Sequence, residues 1–259
     1  MSAAPMLEII DVTAGFGAVT VLHGVSMVVP AGSIAGVFGL NGAGKSVTMK
    51  TIGGVVPVRS GRVLLDGEDV TTLSPEQRVA RGMGHVPQGR QVFPGLSVED
   101  NLRLGAYTLR RRRRARYAAS LERTYSQFPV LRERRHQLAG TMSGGQQASL
   151  SVARALINEP RLILVDEPSA GLSPVAQLEL RAVLEVVRQT GVTMVLVEQN
   201  VAFGLSLVDT AHLLQTGRVV HSAPVASLDN DTLATHLGIG RVLAGATGSA
   251  LLARKRGTS

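Results

Sequence analysis

A glycine-rich segment that could bind a phosphate group follows a short apolar run, Ile34 to Phe38. Residues 39–46 read Gly-Leu-Asn-Gly-Ala-Gly-Lys-Ser, which fits the pattern G-x-x-x-x-G-K-[S/T] at every fixed position, and helix-forming residues come next. In this order of strand, loop and helix, backbone N–H groups surround a phosphate, Lys45 reaches its outer oxygens, and Ser46 can bind Mg²⁺. The segment predicts a site for a nucleoside triphosphate with Mg²⁺. Its candidate nucleotide-binding residues are Gly39, Asn41, Gly42, Ala43, Gly44, Lys45, Ser46 and Val47.

Two carboxylates follow a second apolar run, Leu162 to Val165. Asp166 comes at the end of this run, and Glu167 is the next residue. At the carboxyl end of a strand, Asp166 could hold Mg²⁺ through a water molecule. Glu167 could polarise an attacking water molecule as a general base. The two residues favour phosphate hydrolysis, but kinases, GTPases, helicases and transport ATPases all carry a phosphate loop of this kind.

A third motif, Met142 to Gln147, reads Met-Ser-Gly-Gly-Gln-Gln and precedes a periodic apolar face. Ser143 is the predicted N-cap of a helix whose first N–H groups could bind a second phosphate. Two phosphate-binding helix starts in one chain favour a dimer in which each copy of this motif covers the partner's nucleotide. At these residues the sequence resembles the ATP-binding cassette (ABC) family, whose signature usually reads Leu-Ser-Gly-Gly-Gln.

The resemblance extends over about residues 7–240 and implies that the ligands are ATP and Mg²⁺. It implies that the signature residues contact the ATP of a partner subunit; these are Ser143, Gly144, Gly145 and Gln146. Phe16 stands where the family usually has an aromatic residue that stacks on adenine. Gln88, in the segment Val86 to Gly89, matches the glutamine that senses the γ-phosphate and Mg²⁺. The implied Mg²⁺ ligands are Ser46, Gln88 and Asp166, and the implied catalytic residues are Glu167, Gln199 and Gln88.

Two positions depart from the usual pattern of the family. Gln199 stands where a histidine usually contacts the γ-phosphate, and a glutamine amide can donate a hydrogen bond but cannot become a cation. Ser173 ends the loop from Ser169, where many members carry an aspartate in the inter-subunit loop. We therefore expect catalysis to depend on Glu167 as the base, with Gln199 as a neutral contact.

The segments around Gln88, Asp166 and Gln199 are similar to those of ATP-binding subunits of branched-chain amino-acid importers. This resemblance implies a second ATPase subunit in a homo- or heterodimer, integral membrane permease subunits, a substrate-binding protein, and a place on the cytoplasmic face of the cell membrane. Permease contacts are expected at Arg90, Val92 and Phe93. Because these motifs contact nucleotide and permease but not cargo, import of urea or short amides, lipid export, and a non-transport role on DNA or ribosomes stay open.

The elements around these motifs predict an α/β fold. Short β-rich runs separated by glycine turns are followed by a helical lobe between about residues 98 and 136, and helix and strand signals then alternate, which favours a parallel sheet. With the resemblance, this pattern predicts a P-loop NTPase that has a RecA-like core with a parallel sheet, an N-terminal antiparallel β subdomain and an inserted helical signature subdomain. We expect one ABC ATPase domain over residues 1–240, its helical subdomain at about 95–145, and a basic C-terminal tail over 241–259. The predicted strands are Leu7–Val12, Val25–Val29, Ile34–Phe38, Arg62–Leu65, Leu162–Val165 and Val192–Val197, and one helix is predicted across Pro174–Gln189.

The composition limits the remaining classes. The chain has 259 residues with 44% hydrophobic content, enough for a large core, and no cysteine, which excludes disulfides and thiolate metal sites. No signal sequence or membrane-length apolar run is evident, so a soluble cytoplasmic chain is expected. The net charge of +8 indicates an anionic partner. The cluster of Arg110–Arg114 with Arg116 carries no interleaved aromatic residue, so we expect a solvated face or a membrane-side contact and no nucleic-acid groove.

Overall fold

The computed structural model describes residues 5–89, 91–107 and 114–237. Contacts between Cα atoms divide the chain into two compact units, residues 1–72 with 195–259 and residues 73–194. The permease contact expected at Arg90, the arginines at 110–113 and the tail over 241–259 lie outside the described residues. The predicted subdomain boundaries at about 95 and 145 stay a prediction.

The described residues form strands and helices that we number in chain order. The strands are β1 (Pro5–Phe16), β2 (Val19–Pro30), β3 (Ile34–Phe38), β4 (Val58–Leu65), β5 (Glu68–Asp69), β6 (Met83–Val86), β7 (Leu162–Asp166), β8 (Thr193–Glu198), β9 (Thr210–Gln215) and β10 (Arg218–Pro224). The α-helices are α1 (Lys45–Ile52), α2 (Pro75–Ala80), α3 (Val98–Gly105), α4 (Arg114–Gln127), α5 (Pro129–Glu133), α6 (Gly144–Leu156), α7 (Pro174–Gln189), α8 (Val201–Leu205) and α9 (Asn230–Leu237). Short 3₁₀ turns occupy Ala139–Thr141 and Val225–Ser227.

The first unit contains an antiparallel sheet in the order β2-β1-β4-β5. Leu7 pairs with Val29 on one side and with Leu65 on the other. Strand β1 continues to Phe16, beyond the predicted end at Val12. The prediction was too short because the register of β1 shifts between Ile9 and Val12, and this shift interrupts the alternation of buried and exposed residues. The predicted strand-rich N-terminal region is confirmed, with longer strands.

The same unit carries the parallel strands that lead to the phosphate loop. Strand β3 is buried at all five positions and pairs in parallel with β9, where Phe38 is opposite Leu213. Strand β10 pairs with β9 in the antiparallel sense. A strand buried on both faces reads as a continuous apolar run, which is why β3 was predictable within its observed bounds.

The second unit contains the parallel pair β6 and β7, in which Gly84 is opposite Ile163, and the helices α2 to α7. Helix α7 has the predicted bounds, because Ser173 caps it and Pro174 occupies its first turn. Strand β6 was not predicted, because it is only four residues long and its sequence, Met-Gly-His-Val, is of mixed polarity. The α/β class with parallel and antiparallel sheets is confirmed.

None of the helices in the described ranges combines the length and the apolar character that crossing a membrane requires.

One buried histidine connects β9 to β10. The side chain of His212 is 3% exposed, and its Nδ1 lies 2.8 Å from the hydroxyl of Ser222. Within the described ranges, no hydrogen-bond partner reaches its Nε2. Burial lowers the pKa of His212 to about 4, because the charged ring would lose hydration. The imidazole is therefore neutral in the folded protein at neutral pH.

This neutral His212 should make stability depend on pH. In the unfolded chain the imidazole binds a proton below its ordinary pKa of about 6.5, whereas the folded chain resists protonation down to about pH 4. Stability should therefore fall as the pH decreases from 6.5, by about 1 kcal/mol between pH 7.5 and 5.5 from this residue. Urea denaturation at the two pH values measures it. His212→Asn should remove this part of the loss and the exposed His136→Asn should not; equal losses in all three proteins would contradict the assignment.

Candidate active site

The phosphate loop connects β3 to α1 with two residues in left-handed conformations. Gly42 has φ of 79° and Gly44 has φ of 106°, which glycine adopts without the steric cost of a Cβ atom. Helix α1 begins at Lys45 with no side-chain cap and no acidic residue in its first turn. Its first N–H groups and positive helix end are thus suited to an anion, and this fits a phosphate group.

Gly39 lies where the loop approaches another part of the backbone. A Cβ atom here would be 2.4 Å from the carbonyl oxygen of Leu214 and 2.9 Å from the Cβ of Ala43. The N–H of Gly217 donates a hydrogen bond of 2.8 Å to the carbonyl of Ala43. The loop therefore rests on the end of β9 and on the turn that follows it.

The side chain of Lys45 lies across the phosphate loop and contacts its backbone. Its side chain is 5% exposed, and Nζ donates hydrogen bonds to the carbonyls of Gly39, at 2.8 Å, and Leu40, at 3.2 Å. Ser46 and Val47 are half-buried in the first turn of α1. The Lys45 side chain is thus held inside the loop, a position that suits the role predicted for it toward a phosphate group.

Gln199 lies beside the same loop. It follows β8, its side chain is exposed, and it lines one cavity with loop residues and with the C-terminal end of α9. The residues that line this cavity are Gly39, Leu40, Asn41, Gln199, Val201 and Leu237. The structure therefore brings Gln199 to the phosphate loop. Phe16 ends β1 with its side chain 51% exposed, so its ring face is accessible.

Two residues of this region carried no signal in the sequence. Glu198 is 1% exposed, and its Oε2 accepts hydrogen bonds from the backbone N–H groups of Gln199 and Asn200. Leu237 belongs to the cavity because α9 returns to the loop from a distant part of the chain. Neither residue was predicted, because the burial of Glu198 and the contact of Leu237 depend on tertiary packing.

In the second unit, the structure brings Gln88 and Glu167 together. The Nε2 of Gln88 donates a hydrogen bond of 2.8 Å to Oε2 of Glu167. Asp166 ends β7 and is 6% exposed, whereas Glu167 has φ of 42°, an uncommon backbone conformation outside glycine. The hydrogen bond from the Gln88 amide restricts where the carboxylate of Glu167 can lie.

The signature motif forms the predicted helix start at α6. Ser143 Oγ accepts a hydrogen bond of 3.2 Å from the N–H of Gln146, and the N–H of Ser143 donates one of 3.1 Å to Oε1 of Gln146. This capping box confirms Ser143 as the N-cap. A Cβ atom on Gly145 would lie 1.8 Å from Oε2 of Glu179, so that site accepts only glycine without rearrangement.

Comparison with known proteins places these motifs in a family. A family model described as ABC transporter matches residues 22–170. The chain belongs to the ABC transporter family. Members of this family hydrolyse ATP to power transport, so the prediction of a nucleotide-binding ATPase subunit is confirmed, as is the resemblance to the branched-chain amino-acid type.

Several relatives cover most of this ABC protein. It is 39% identical over 226 residues to the high-affinity branched-chain amino acid transport ATP-binding protein BraG of Pseudomonas aeruginosa, covering 87% of this chain and 96% of BraG. It is 37% identical over 225 residues to the probable branched-chain amino acid transport ATP-binding protein LivF of Archaeoglobus fulgidus, covering 86% and 94%. The lipopolysaccharide export system ATP-binding protein LptB of Escherichia coli is 30% identical over 212 residues, covering 82% and 88%.

Solved structures support the fold. A nucleotide-free ATP-binding cassette from an ABC transporter matches with a TM-score of 0.78 at 22% identity, covering 92% of this chain and 97% of that chain. The P-loop NTPase fold predicted from the sequence is confirmed. The roles predicted for individual site residues stay predictions.

Gly39→Ala should weaken nucleotide binding, because the added methyl group meets the Leu214 carbonyl and displaces the loop. We expect affinity for ATP to fall about tenfold or more, a loss of about 1.4 kcal/mol. Titration with a fluorescent ATP analogue measures it. Gly95→Ala is the matched control, since Gly95, like Gly39, has no positive φ, and no atom of the described residues lies within 4 Å of its Cβ position. Wild-type affinity in Gly39→Ala would show that the close approach does not shape the site.

Proposed function

We propose that this ABC ATPase subunit powers the import of branched-chain or other hydrophobic amino acids. The observation that carries the proposal is the 39% identity to BraG, which spans nearly the full length of both chains. LivF adds a second relative of the same named type. The segment around Gln199 is one of those on which the resemblance to these importers depends. The position of Gln199 beside the phosphate loop supports the γ-phosphate contact expected of it.

The residues present fit ATP with Mg²⁺. The uncapped start of α1 would bind the β-phosphate, Lys45 the β- and γ-phosphates, and the exposed ring of Phe16 the adenine. Among the described residues, no group of three or more acidic or histidine side chains could hold a metal by itself. Mg²⁺ suits this donor set because it keeps several water molecules and takes few protein oxygens, here those of Ser46 and Gln88, while Asp166 would hold it through a water molecule. When bound, Mg²⁺ would neutralise the charge that develops on the phosphates.

Glu167 would act as the general base in hydrolysis. Its carboxylate takes a proton from a water molecule, the water oxygen forms a bond to the γ-phosphorus, and the bond from that phosphorus to the bridging oxygen breaks, giving ADP and phosphate. The hydrogen bond from Gln88 orients the carboxylate before reaction. The neutral amide of Gln199 would donate a hydrogen bond to the γ-phosphate.

The proposed assembly contains a second ATPase subunit, homologous or identical, whose signature motif completes each site. Permease subunits would supply the membrane passage, and a substrate-binding protein would deliver the cargo to them. The chain would then act at the cytoplasmic face of the membrane. Phe93, 48% exposed and stacked under the guanidinium of Arg154 at 5.1 Å, is the described residue that best fits a permease contact.

Transport assays test the cargo. The test uses membrane vesicles that contain the chain with its co-purified permease and binding protein. These vesicles should accumulate labelled leucine only when ATP is present on the side of the membrane where the ATPase subunit is bound. Labelled urea and a fluorescent lipid are the competing cargoes, the second because of the 30% identity to LptB. ATP-dependent movement of lipid or urea without leucine would overturn the proposed cargo while leaving the ATPase assignment intact. Recovery of ribosomes or DNA in place of a permease would contradict a transport role.

Glu167→Gln should abolish turnover and preserve ATP binding, because the amide cannot accept the proton from water. Steady-state hydrolysis should fall about 100-fold or more, the usual contribution of a general base. ATP should then trap the variant as a dimer, which size-exclusion chromatography with light scattering detects. Glu185→Gln changes an exposed carboxylate on α7 and serves as the control. Ordinary hydrolysis by Glu167→Gln would remove Glu167 from the catalytic role.

Phe93→Asp should uncouple hydrolysis from transport, because a charge replaces the exposed ring at the expected permease contact. Nucleotide affinity should stay within about twofold of wild type and leucine uptake should fall about tenfold or more, as for loss of an interface anchor. Parallel ATP-binding and uptake measurements on the same vesicles separate the two effects. Unchanged uptake would show that the permease binds elsewhere.

A further inference from the structure

Glu198 is a buried carboxylate in direct contact with the segment that carries Gln199. It ends β8, its side chain is 1% exposed, and its Oε2 lies 3.1 Å from the backbone nitrogen of Gln199 and 3.2 Å from that of Asn200. One carboxylate oxygen therefore accepts hydrogen bonds from two consecutive backbone N–H groups. Backbone donors that converge on a carboxylate oxygen form charge-assisted hydrogen bonds, which are stronger than neutral ones.

The chain on the far side of Gln199 is fixed as well. Asn200 caps α8 through a hydrogen bond of 3.1 Å from the N–H of Phe203 to its Oδ1. Gly204 lies close to Glu198, since a Cβ atom there would be 3.2 Å from the Cβ of Glu198 and 2.4 Å from the ring of Phe38. Helix α8 is thereby packed against both β3 and the Glu198 side chain.

Gln199 is an exposed residue within this turn. Its neighbours Glu198 and Asn200 are engaged with backbone groups, while its own side chain lines the cavity next to Gly39 and Asn41. A neutral amide that donates one hydrogen bond to a phosphate gains little from long-range charge, so its contribution depends on placement. Misplacement by about 1 Å can cost about 100-fold in rate.

We propose that Glu198 is a positioning residue for ATP hydrolysis, which holds the backbone of Gln199 so that the amide reaches the γ-phosphate. This inference rests on the proposed γ-phosphate contact of Gln199. In this role Glu198 would influence hydrolysis through the position of Gln199 and not through a contact with nucleotide. Removing the carboxylate leaves two backbone N–H groups without their acceptor, and the turn is then free to change its conformation.

The test compares Glu198→Ala, Glu198→Gln and Gln199→Ala in the purified full chain with Mg-ATP. Both Glu198 variants should lower kcat, by about tenfold for alanine and less for glutamine, whose amide oxygen can still accept a hydrogen bond. The KM for ATP should stay within about threefold, since the phosphate loop is unchanged. The control is Val195→Ala, a cavity substitution on the same strand at a side chain that is 0% exposed. It should destabilise the chain and leave kcat within about twofold.

The double variant Glu198→Ala with Gln199→Ala distinguishes positioning from a general structural role. If Glu198 acts through Gln199, the double variant should hydrolyse ATP as fast as Gln199→Ala alone, because nothing is left to position. Independent losses that multiply in the double variant would overturn the inference, as would a rise in KM without a change in kcat. A Val195→Ala variant with an equal fall in kcat would do the same.

The single Gln199→Ala variant separates this inference from the proposed function. Slow hydrolysis in Gln199→Ala with normal hydrolysis in both Glu198 variants overturns the positioning role and leaves the proposed site intact. Normal hydrolysis in Gln199→Ala contradicts the γ-phosphate contact and the inference with it. Thermal unfolding of each variant shows whether it is folded. If Glu198→Ala does not fold, the comparison rests on Glu198→Gln.

Discussion

The phosphate loop depends on the close approach of two backbones. Gly39 faces the Leu214 carbonyl at a distance that leaves no space for a side chain, and the Ala43 carbonyl accepts a hydrogen bond from Gly217. The loop is thus fixed at its first residue by the end of β9 and at its middle by the turn that follows β9. With the loop held, Gly42 and Gly44 can keep left-handed conformations and α1 can begin without a cap. A phosphate site made of backbone atoms requires this rigidity, because backbone donors cannot move independently.

Electrostatics divides the charges of the chain into two groups. The net charge of +8 suggested an anionic partner, yet the cation held inside the phosphate loop is Lys45, one of few lysines in an arginine-rich chain. Arg116, a member of the arginine cluster, pairs instead with Glu159 at 3.0 Å while 58% exposed. Exposed pairs of this kind contribute little energy. Arg116 therefore lies on the solvent-exposed surface, whereas Lys45 is buried in the phosphate loop.

Local signals in the sequence were enough for the motifs and for the elements that carry them. The runs at β3 and β7 are buried on both faces, and the caps at Ser143 and Ser173 mark the starts of α6 and α7. Features that depend on tertiary contact were not predictable. Strand β6 has too few apolar residues to be predicted as a strand. Leu237 lies beside the phosphate loop because of tertiary packing, which no local pattern indicates. The carboxylate of Glu198 shows its role only once its hydrogen-bond partners are known.

The capping box at the start of α6 would affect the thermodynamics of the subunit association proposed above. Ser143 and Gln146 satisfy each other's backbone donors within a single chain, so the first turn of the signature helix is already ordered before any partner arrives. The conformational entropy of that turn is lost during folding and is absent from the association step. A surface that is preorganised in this way binds with a smaller entropic cost, and its affinity for a second nucleotide-loaded subunit depends on the contacts themselves.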